Sequence, residues 1–320
     1  MVLHVLLFFV GLLVLYLGAE GLVQGASSLA LQYGIRPVVV GLTVVAIGTS
    51  MPEFLVNFFA LFEEASSLAI GNIIGSNISN VALILGTSAL ALPMVVTPAI
   101  LRREYPAMLG TMALFYIVAL DGVISSGDGI LMVSLLAGLA AYVLYDARRT
   151  TQSAILEDVE EDLQTADPEM SGMMKGVYLI GGIAGLALGA RLMVVNAVSI
   201  AEIMGVERVV IGLTIVAVGT SLPELAASMV GALRNESDLS VGNVMGSNIL
   251  NVLFVVGTLS IADPIPVAAD TLAIHFPVML GFCALLLPLT WTTYRISRWK
   301  GGLMLTAFIG YMTYLVLPHV

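Results

Sequence analysis

Charge is scarce in this chain of 320 residues: Asp, Glu, Lys and Arg make up 11% of it, against 59% hydrophobic residues and a mean hydropathy of +1.02. A soluble domain carries about 25% charged residues. So apolar an inventory excludes burial in one water-surrounded core, and lipid must solvate much of it. Cysteine is scarcer still. Cys283 stands alone in an apolar stretch, which excludes an intrachain disulfide and a thiolate metal motif and leaves a core or lipid-facing residue. His4, His275 and His319 are the only histidines; they fall near the ends of apolar stretches and read as interfacial groups, not proton relays. Lys and Arg total 12 against 22 acids, a net charge of −10, so nucleic acid is excluded as a partner. No nucleophile elbow, HExxH pair or phosphate loop occurs. That argues against an enzyme and against ATP as an energy source, and no organic cofactor is expected. Residues 1–17 lack the basic start and small-residue cleavage site of a signal peptide, so they read as a retained first helix.

What the chain does have is a series of apolar stretches of the length that crosses a ~30 Å hydrocarbon layer as a helix. Gly, Pro and charge divide it into ten predicted spans, at 3–32, 37–62, 68–96, 104–121, 127–147, 175–203, 208–233, 238–262, 270–291 and 299–317. A spanning helix satisfies its own backbone, which lipid cannot do. The expected fold is therefore an all-α integral membrane protein of the cell membrane. With the N-terminus outside, the inside loops hold Arg36, Arg102, Arg103, Arg148, Arg149, Lys175, Arg234, Arg295, Arg298 and Lys300, and only Arg208 falls in an outside loop. The positive-inside rule thus favours extracytoplasmic termini and a cytoplasmic 148–174 loop. That loop holds seven acids, Glu157, Asp158, Glu160, Glu161, Asp162, Asp167 and Glu169, and reads as a solvated linker.

The strongest organisational signal is an internal repeat. Residues 41–54 read GLTVVAIGTSMPEF and residues 212–225 read GLTIVAVGTSLPEL, at an offset of 171. The same offset aligns GNIIGSNISN at 71–80 with GNVMGSNILN at 242–251, and Gly18-Ala19 with Gly189-Ala190. The chain divides into repeats at 1–147 and 175–320 joined by the acidic loop, with repeat motifs at 41–80 and 212–251. Each repeat holds five spans. Five is odd, so the second copy enters the membrane from the opposite side. Ten helices in two inverted-topology repeats of five are expected, with a site near the midplane between them.

Glu53 and Glu224 lie at equivalent positions deep inside apolar spans. A charge there costs about 2.5–3.5 kcal/mol on insertion scales and is a functional candidate by default. Pro52 and Pro223 lack an N–H and disfavour helix at the preceding residue, so each span is expected to break or kink near Gly-Thr-Ser-x-Pro-Glu. Such a break would free the carbonyls of Ala46 and Ala217. Thr49, Ser50, Thr220 and Ser221 add hydroxyls. Ser76 and Asn80 share a helical face at i and i+4, as do Ser247 and Asn251. Asn72, Asn77, Asn243 and Asn248 are further amides without a clear direction, and Gly71, Gly75, Gly242 and Gly246 favour close helix packing. The candidate set is all oxygen, which suits the roughly 6–8 hard ligands of Ca2+ and excludes zinc or copper chemistry. Two carboxylates balance one Ca2+ or two monovalent ions, so Ca2+ and Na+ could compete for the same oxygens. Proton/calcium exchange stays open, a cation channel fits less well, and a single chain holds a whole site, so a monomer suffices. Glu20 and Arg191 are also equivalent under the offset, and read as facing water-accessible clefts or lipid headgroups.

These motifs, G-x-T-x-x-A-x-G-T-S-x-P-E and G-N-x-x-G-S-N-I-x-N, resemble the paired alpha repeats of the calcium/cation antiporter superfamily, and more narrowly its sodium/calcium exchanger branch. The resemblance implies that Glu53 and Glu224 are central ligands shared by Ca2+ and Na+, and that Thr49 and Thr220 help hold Ca2+. It further implies that Ala46 and Ser50, with Ala217 and Ser221, line flanking Na+ sites, that Ser76, Asn80, Ser247 and Asn251 complete the set, and that the first and sixth spans move against the others. The chain departs from well-studied members in carrying Asn at both 80 and 251, where one is often Asp; this bears on the number of Na+ ions and on any K+ or H+ coupling. The 148–174 loop is too short for the folded regulatory domains of animal exchangers.

Overall fold

The computed structural model describes residues 1–62, 66–150, 170–205, 217–291 and 293–317. The acidic segment 157–169, Arg208, His319, and residues 212–216 of the second motif lie outside them. In chain order the helices are α1 (Val2–Tyr33), α2 (37–62), α3 (66–91), α4 (Pro98–Arg102), α5 (Glu104–Ala119), α6 (Ser126–Thr150), α7 (Gly172–Ile203), α8 (Ala217–Gly219), α9 (Leu222–Leu233), α10 (237–262), α11 (271–290) and α12 (Arg298–Val316). Seven of them are long and apolar enough to cross a membrane: α1, α2, α3, α6, α7, α10 and α11. The described architecture is helical apart from four two-residue strands. The third predicted span stops at Ala91, and the chain then extends through a two-residue strand β1 (Met94–Val95); β2 (Val123–Ile124), β3 (Ile265–Pro266) and β4 (Arg295–Ile296) are like it.

The helix ends follow local chemistry. α1 closes on Gly34 in the left-handed region (φ 57°), and the N–H of Ile35 reaches back to Ala30 O at 2.9 Å, as a glycine C-cap does. Pro37 then opens α2, where its missing N–H costs nothing. At 32 residues each, α1 and α7 are about 48 Å long at 1.5 Å per residue, more than the ~30 Å hydrocarbon layer, so they tilt or project beyond it. They pack antiparallel: Gly18 lies against the backbone of Leu186, Gly182 against Leu22 and Gly189 against Leu15, none with room for a Cβ. Small residues permit this backbone approach where lipid supplies no hydrophobic drive.

Burial runs opposite to that of a soluble protein. The windows of α3 and α10, rich in Gly, Ser and Asn, are 78% and 83% buried, whereas those of α6 and α1 are 11% and 22% buried. The polar helices form the centre and the apolar ones face outward. Gly242 and Gly246 lie directly on the backbone of Val38 and Leu42, fixing α10 against the start of α2. Their counterparts Gly71 and Gly75 have no such neighbour among the described residues; positions 209 and 213, equivalent to Val38 and Leu42, lie outside them.

Counterpart elements meet across the molecule. β1 pairs antiparallel with β4 (Met94 opposite Ile296), and β2 with β3 (Ile124 opposite Ile265). β1 and β3 are equivalent under the 171 offset, so one ladder mirrors the other. Val96 N–H donates to Tyr294 O at 2.9 Å and Val267 N–H to Gly122 O at 2.8 Å. Both acceptors sit in the left-handed region, Gly122 at φ 88° and Tyr294 at φ 49°.

The motif backbones depart from expectation on one side. In the second copy α8 ends at Gly219, Thr220 and Ser221 form a turn, and α9 starts with Pro223 in its first turn. In the first copy helix runs unbroken from Ala46 to Phe62 with Pro52 inside it. A π turn at Gly41–Val45 precedes this helix; the counterpart positions 212–216 lie outside the described residues. π turns also open at Asn80 and Asn251, in the middles of α3 and α10.

Candidate cation site

Glu53 on α2 and Glu224 on α9 are both fully buried, as are Asn80, Ser247 and Asn251. α3 and α10 supply the remaining polar groups. The hydrogen bonds cross between the halves. Ser50 Oγ donates to Glu224 Oε1 at 3.2 Å, and Ser221 Oγ donates to Glu53 Oε1 at 3.4 Å. Each serine thus serves the carboxylate of the other motif. Ser76 Oγ donates to Glu53 Oε1 at 2.7 Å, and Ser50 Oγ lies 3.1 Å from Ser247 Oγ. Asn251 and Glu224 are further side-chain neighbours of the Glu53 carboxyl, and Thr49 of the Glu224 carboxyl.

A second layer holds the backbone of the motifs. Asn57 Nδ2 donates to Glu53 O at 2.7 Å and Asn72 Nδ2 to Asn57 Oδ1 at 3.2 Å. In the other half Asn243 Nδ2 donates to Ser228 Oγ at 3.0 Å, the same pair of positions under the offset. Thr49 Oγ1 lies 3.2 Å from Asn243 Oδ1 and 3.4 Å from Ala46 O. The Ala46 carbonyl, expected to be freed by a helix break, is instead in a helix and beside this hydroxyl. Ala217 lies in α8, which packs on α3, and Thr220 sits in the turn between α8 and α9.

The distinguishing feature is what these bonds leave over. Among the described residues, Glu53 Oε2, Glu224 Oε2, Asn80 Oδ1 and Asn251 Oδ1 are buried side-chain oxygens with no hydrogen-bond partner. They form two pairs of counterparts. An acceptor without a donor in a dry interior is costly, and more so when it carries charge. Four such acceptors on the two motifs are groups that a positive ion would satisfy. The described residues contain no cluster of three or more His, Cys, Asp or Glu, so any ion here meets two carboxylates and neutral oxygens. That donor set suits hard cations such as Ca2+ and Na+ and gives nothing to a soft metal.

Ten of the twelve predicted site residues thus lie in or beside the network, with Ala217 and Thr220 on the segments that carry it. The sequence reading left Asn72, Asn77, Asn243 and Asn248 undirected and missed Asn57, Met108 and Met279. Recurrence at the 171 offset was the available signal: Asn77 and Asn248 recur, and so do Met108 and Met279. Glu20, expected to face a cleft or headgroups, is ion-paired with Arg234 and accepts from Tyr16 Oη at 2.7 Å, while Arg191 is exposed. His4 bonds Asn196 and His275 bonds Tyr311, each at 2.9 Å. Cys283 is buried.

The sequence model of the family described as sodium/calcium exchanger protein matches residues 3–145 and 175–317. The chain is 36% identical over 306 residues to the putative antiporter CaxA of Alkalimonas amylolytica, covering 94% of this chain and 95% of that protein. It is 31% identical over 341 residues to the sodium/calcium exchanger MaX1 of Methanosarcina acetivorans, covering 97% of each. Its fold matches the solved structure of the sodium-calcium exchanger NCX_Mj with a TM-score of 0.82 at 31% identity, over 98% of this chain and 99% of that one.

Proposed function

The chain belongs to the sodium/calcium exchanger family, a family of membrane antiporters and not of enzymes, and from that premise we propose that it exchanges Ca2+ against Na+ at the Glu53–Glu224 site by alternating access. The observation that carries this reading is the set of four unpaired buried oxygens, Glu53 Oε2, Glu224 Oε2, Asn80 Oδ1 and Asn251 Oδ1. Two carboxylates balance one Ca2+, and Na+ replaces it on the same oxygens. An emptied site would leave two unpaired charges in a dry interior, so the carriers return loaded with the other ion. In this reading Glu53 and Glu224 are shared central ligands. Thr49 and Thr220 help hold Ca2+, Ala46 and Ser50 with Ala217 and Ser221 line flanking Na+ positions, and Ser76, Asn80, Ser247 and Asn251 complete the set of oxygens around the shared ions.

The architecture proposed is ten spanning helices in two inverted repeats, with extracytoplasmic termini and the 148–174 loop in the cytoplasm. The antiparallel α1–α7 pair and the mirrored ladders β1–β4 and β2–β3 support the inversion. The site draws on one chain only, so a monomer is sufficient. Proton/calcium exchange is the second reading, favoured by one observation: both carboxyls are fully buried, and protons as well as Na+ can neutralise them.

Uptake of radioactive Ca2+ into proteoliposomes loaded with Na+, K+ or choline, with and without a pH gradient, tests the proposal. Uptake is expected to need internal Na+. Uptake indifferent to Na+ and driven by the pH gradient would replace Na+ with H+ as the coupling ion.

A further inference from the structure

An asparagine amide has an oxygen at one end and an NH2 at the other, nearly alike in size. Half a turn about its last torsion exchanges an acceptor for two donors. If Asn80 or Asn251 turned that way, N–H groups would point where a cation sits. Something must hold each amide oxygen inward.

The structure contains a device for this, and it crosses between the halves. Asn80 Nδ2 donates to Asn248 Oδ1 at 2.9 Å, and Asn251 Nδ2 donates to Asn77 Oδ1 at 3.3 Å. These are the same contact under the 171 offset. With their NH2 groups held in these bonds, Asn80 Oδ1 and Asn251 Oδ1 are left buried without donors. Asn77 and Asn248 need orienting in turn, since a flipped amide would offer N–H to N–H. Asn77 Nδ2 lies 3.7 Å from Met279 Sδ, and Asn248 Nδ2 lies 3.6 Å from Met108 Sδ and 3.4 Å from Asn77 O. A thioether sulfur accepts and cannot donate, so the NH2 of each asparagine goes to the sulfur and its oxygen goes to the neighbouring amide. Met108 on α5 and Met279 on α11 lie outside the repeat motifs, yet they too are counterparts. All six side chains belong to buried residues, so no bulk water competes for these bonds.

We propose that Asn77 and Asn248 are positioning residues for cation selection: each, backed by a methionine, turns the amide oxygen of the other half's asparagine toward the ion. This rests on the cation site proposed above. The two relays run Met279–Asn77–Asn251 and Met108–Asn248–Asn80, and each has one polarity from sulfur to ion.

The test is Ca2+ binding to the purified full chain by equilibrium dialysis, with Na+-driven Ca2+ uptake alongside. Outer partners of metal ligands are typically worth about 10–100-fold in affinity, so Asn77→Leu is expected to weaken Ca2+ binding at least about tenfold. An aspartate has oxygen at both ends and no wrong way round. In an Asn251→Asp background, Asn77→Leu is therefore expected to change binding less than about twofold. In an Asn80→Asp background it is expected to keep its full effect. Asn248→Leu should show the reverse pattern, silent with Asn80→Asp and fully expressed with Asn251→Asp. A purely structural role would give equal losses in both backgrounds, and that result, or unchanged affinity in Asn77→Leu, overturns the proposal. If Asn77→Leu does not purify as folded protein, Met279→Leu carries the same test: a loss of Ca2+ affinity removed by Asn251→Asp supports the relay, and no loss overturns it. Glu53→Gln is the control for the site itself. Unchanged Ca2+ binding in that variant sinks the site and the relay together, whereas lost binding there with unchanged binding in Asn77→Leu sinks the relay alone.

Discussion

Residues 46–53 and 217–224 carry the same motif, yet the first lies in one uninterrupted helix with Pro52 inside it, and the second has helix up to Gly219, a turn at Thr220–Ser221 and a fresh helix holding Pro223 in its first turn. Their side chains nonetheless make matching contacts. Ser50 reaches Glu224 as Ser221 reaches Glu53, and Asn80 reaches Asn248 as Asn251 reaches Asn77. A proline removes one N–H and crowds the preceding turn, and the chain can absorb that within a continuous helix or by a break at the motif. What is held equal is the placement of the carboxyls. Both motif glycines also face one helix: Gly48 lies against Ile183 and Gly219 against Val194, both on α7. The equal chemistry therefore sits on unequal backbones beneath a shared helix.

The equivalence of the halves is broken most severely at the glutamates. Glu53→Gln and Glu224→Gln are each expected to reduce Ca2+ uptake by more than about 100-fold, because a neutral amide cannot balance a divalent ion in a dry site; transport near wild-type in either variant would sink the proposed site. The serines come next. Ser50→Ala and Ser221→Ala each remove a hydrogen bond to a carboxylate, typically about 1.5–3 kcal/mol. Roughly tenfold or greater losses of Ca2+ affinity are expected, and loss in one variant alone would show that the crossed contacts are not equivalent in function. The prolines separate the halves. Pro inside a helix costs about 3 kcal/mol and Pro in a first turn is tolerated, so Pro52→Ala should raise the melting temperature of the purified protein by several degrees and Pro223→Ala should leave it nearly unchanged. Equal shifts would contradict the two backbone routes. The smallest effect is expected at the Glu20–Arg234 pair, whose side chains are 20% and 34% exposed. Partly exposed pairs are worth about 0–1 kcal/mol, so Glu20→Gln should slow Ca2+ uptake no more than about threefold, and Arg191→Gln, at the exposed counterpart position, should not slow it.

Several features were legible before the fold. Apolar runs of spanning length located the seven helices long and apolar enough to cross a membrane, because lipid demands both length and hydrophobicity. The 171 offset paired Glu53 with Glu224, because a carboxylate in an apolar span is too costly to recur without use. Other features were not legible. The turn at Thr220–Ser221 and the helix through Pro52 arise from the same local sequence, so local rules could not distinguish them. The strand at Met94–Val95 was read as the end of a span because its residues are apolar; it is extended because β4 waits opposite, 200 residues along the chain. Asn77 and Asn248 could be seen to recur, but nothing in the motif says which way an amide points.

The sequence by itself determined the apolar helices, the repeat and the candidate oxygen donors, since these depend on composition, periodicity and the price of charge in lipid. Only the tertiary structure decided which half serves which carboxylate, where proline is absorbed and which amide oxygens are left without donors. Those depend on contacts between residues about 170 positions apart, and a hydrogen bond's direction is fixed by the group it meets in space, not by its neighbours in the chain.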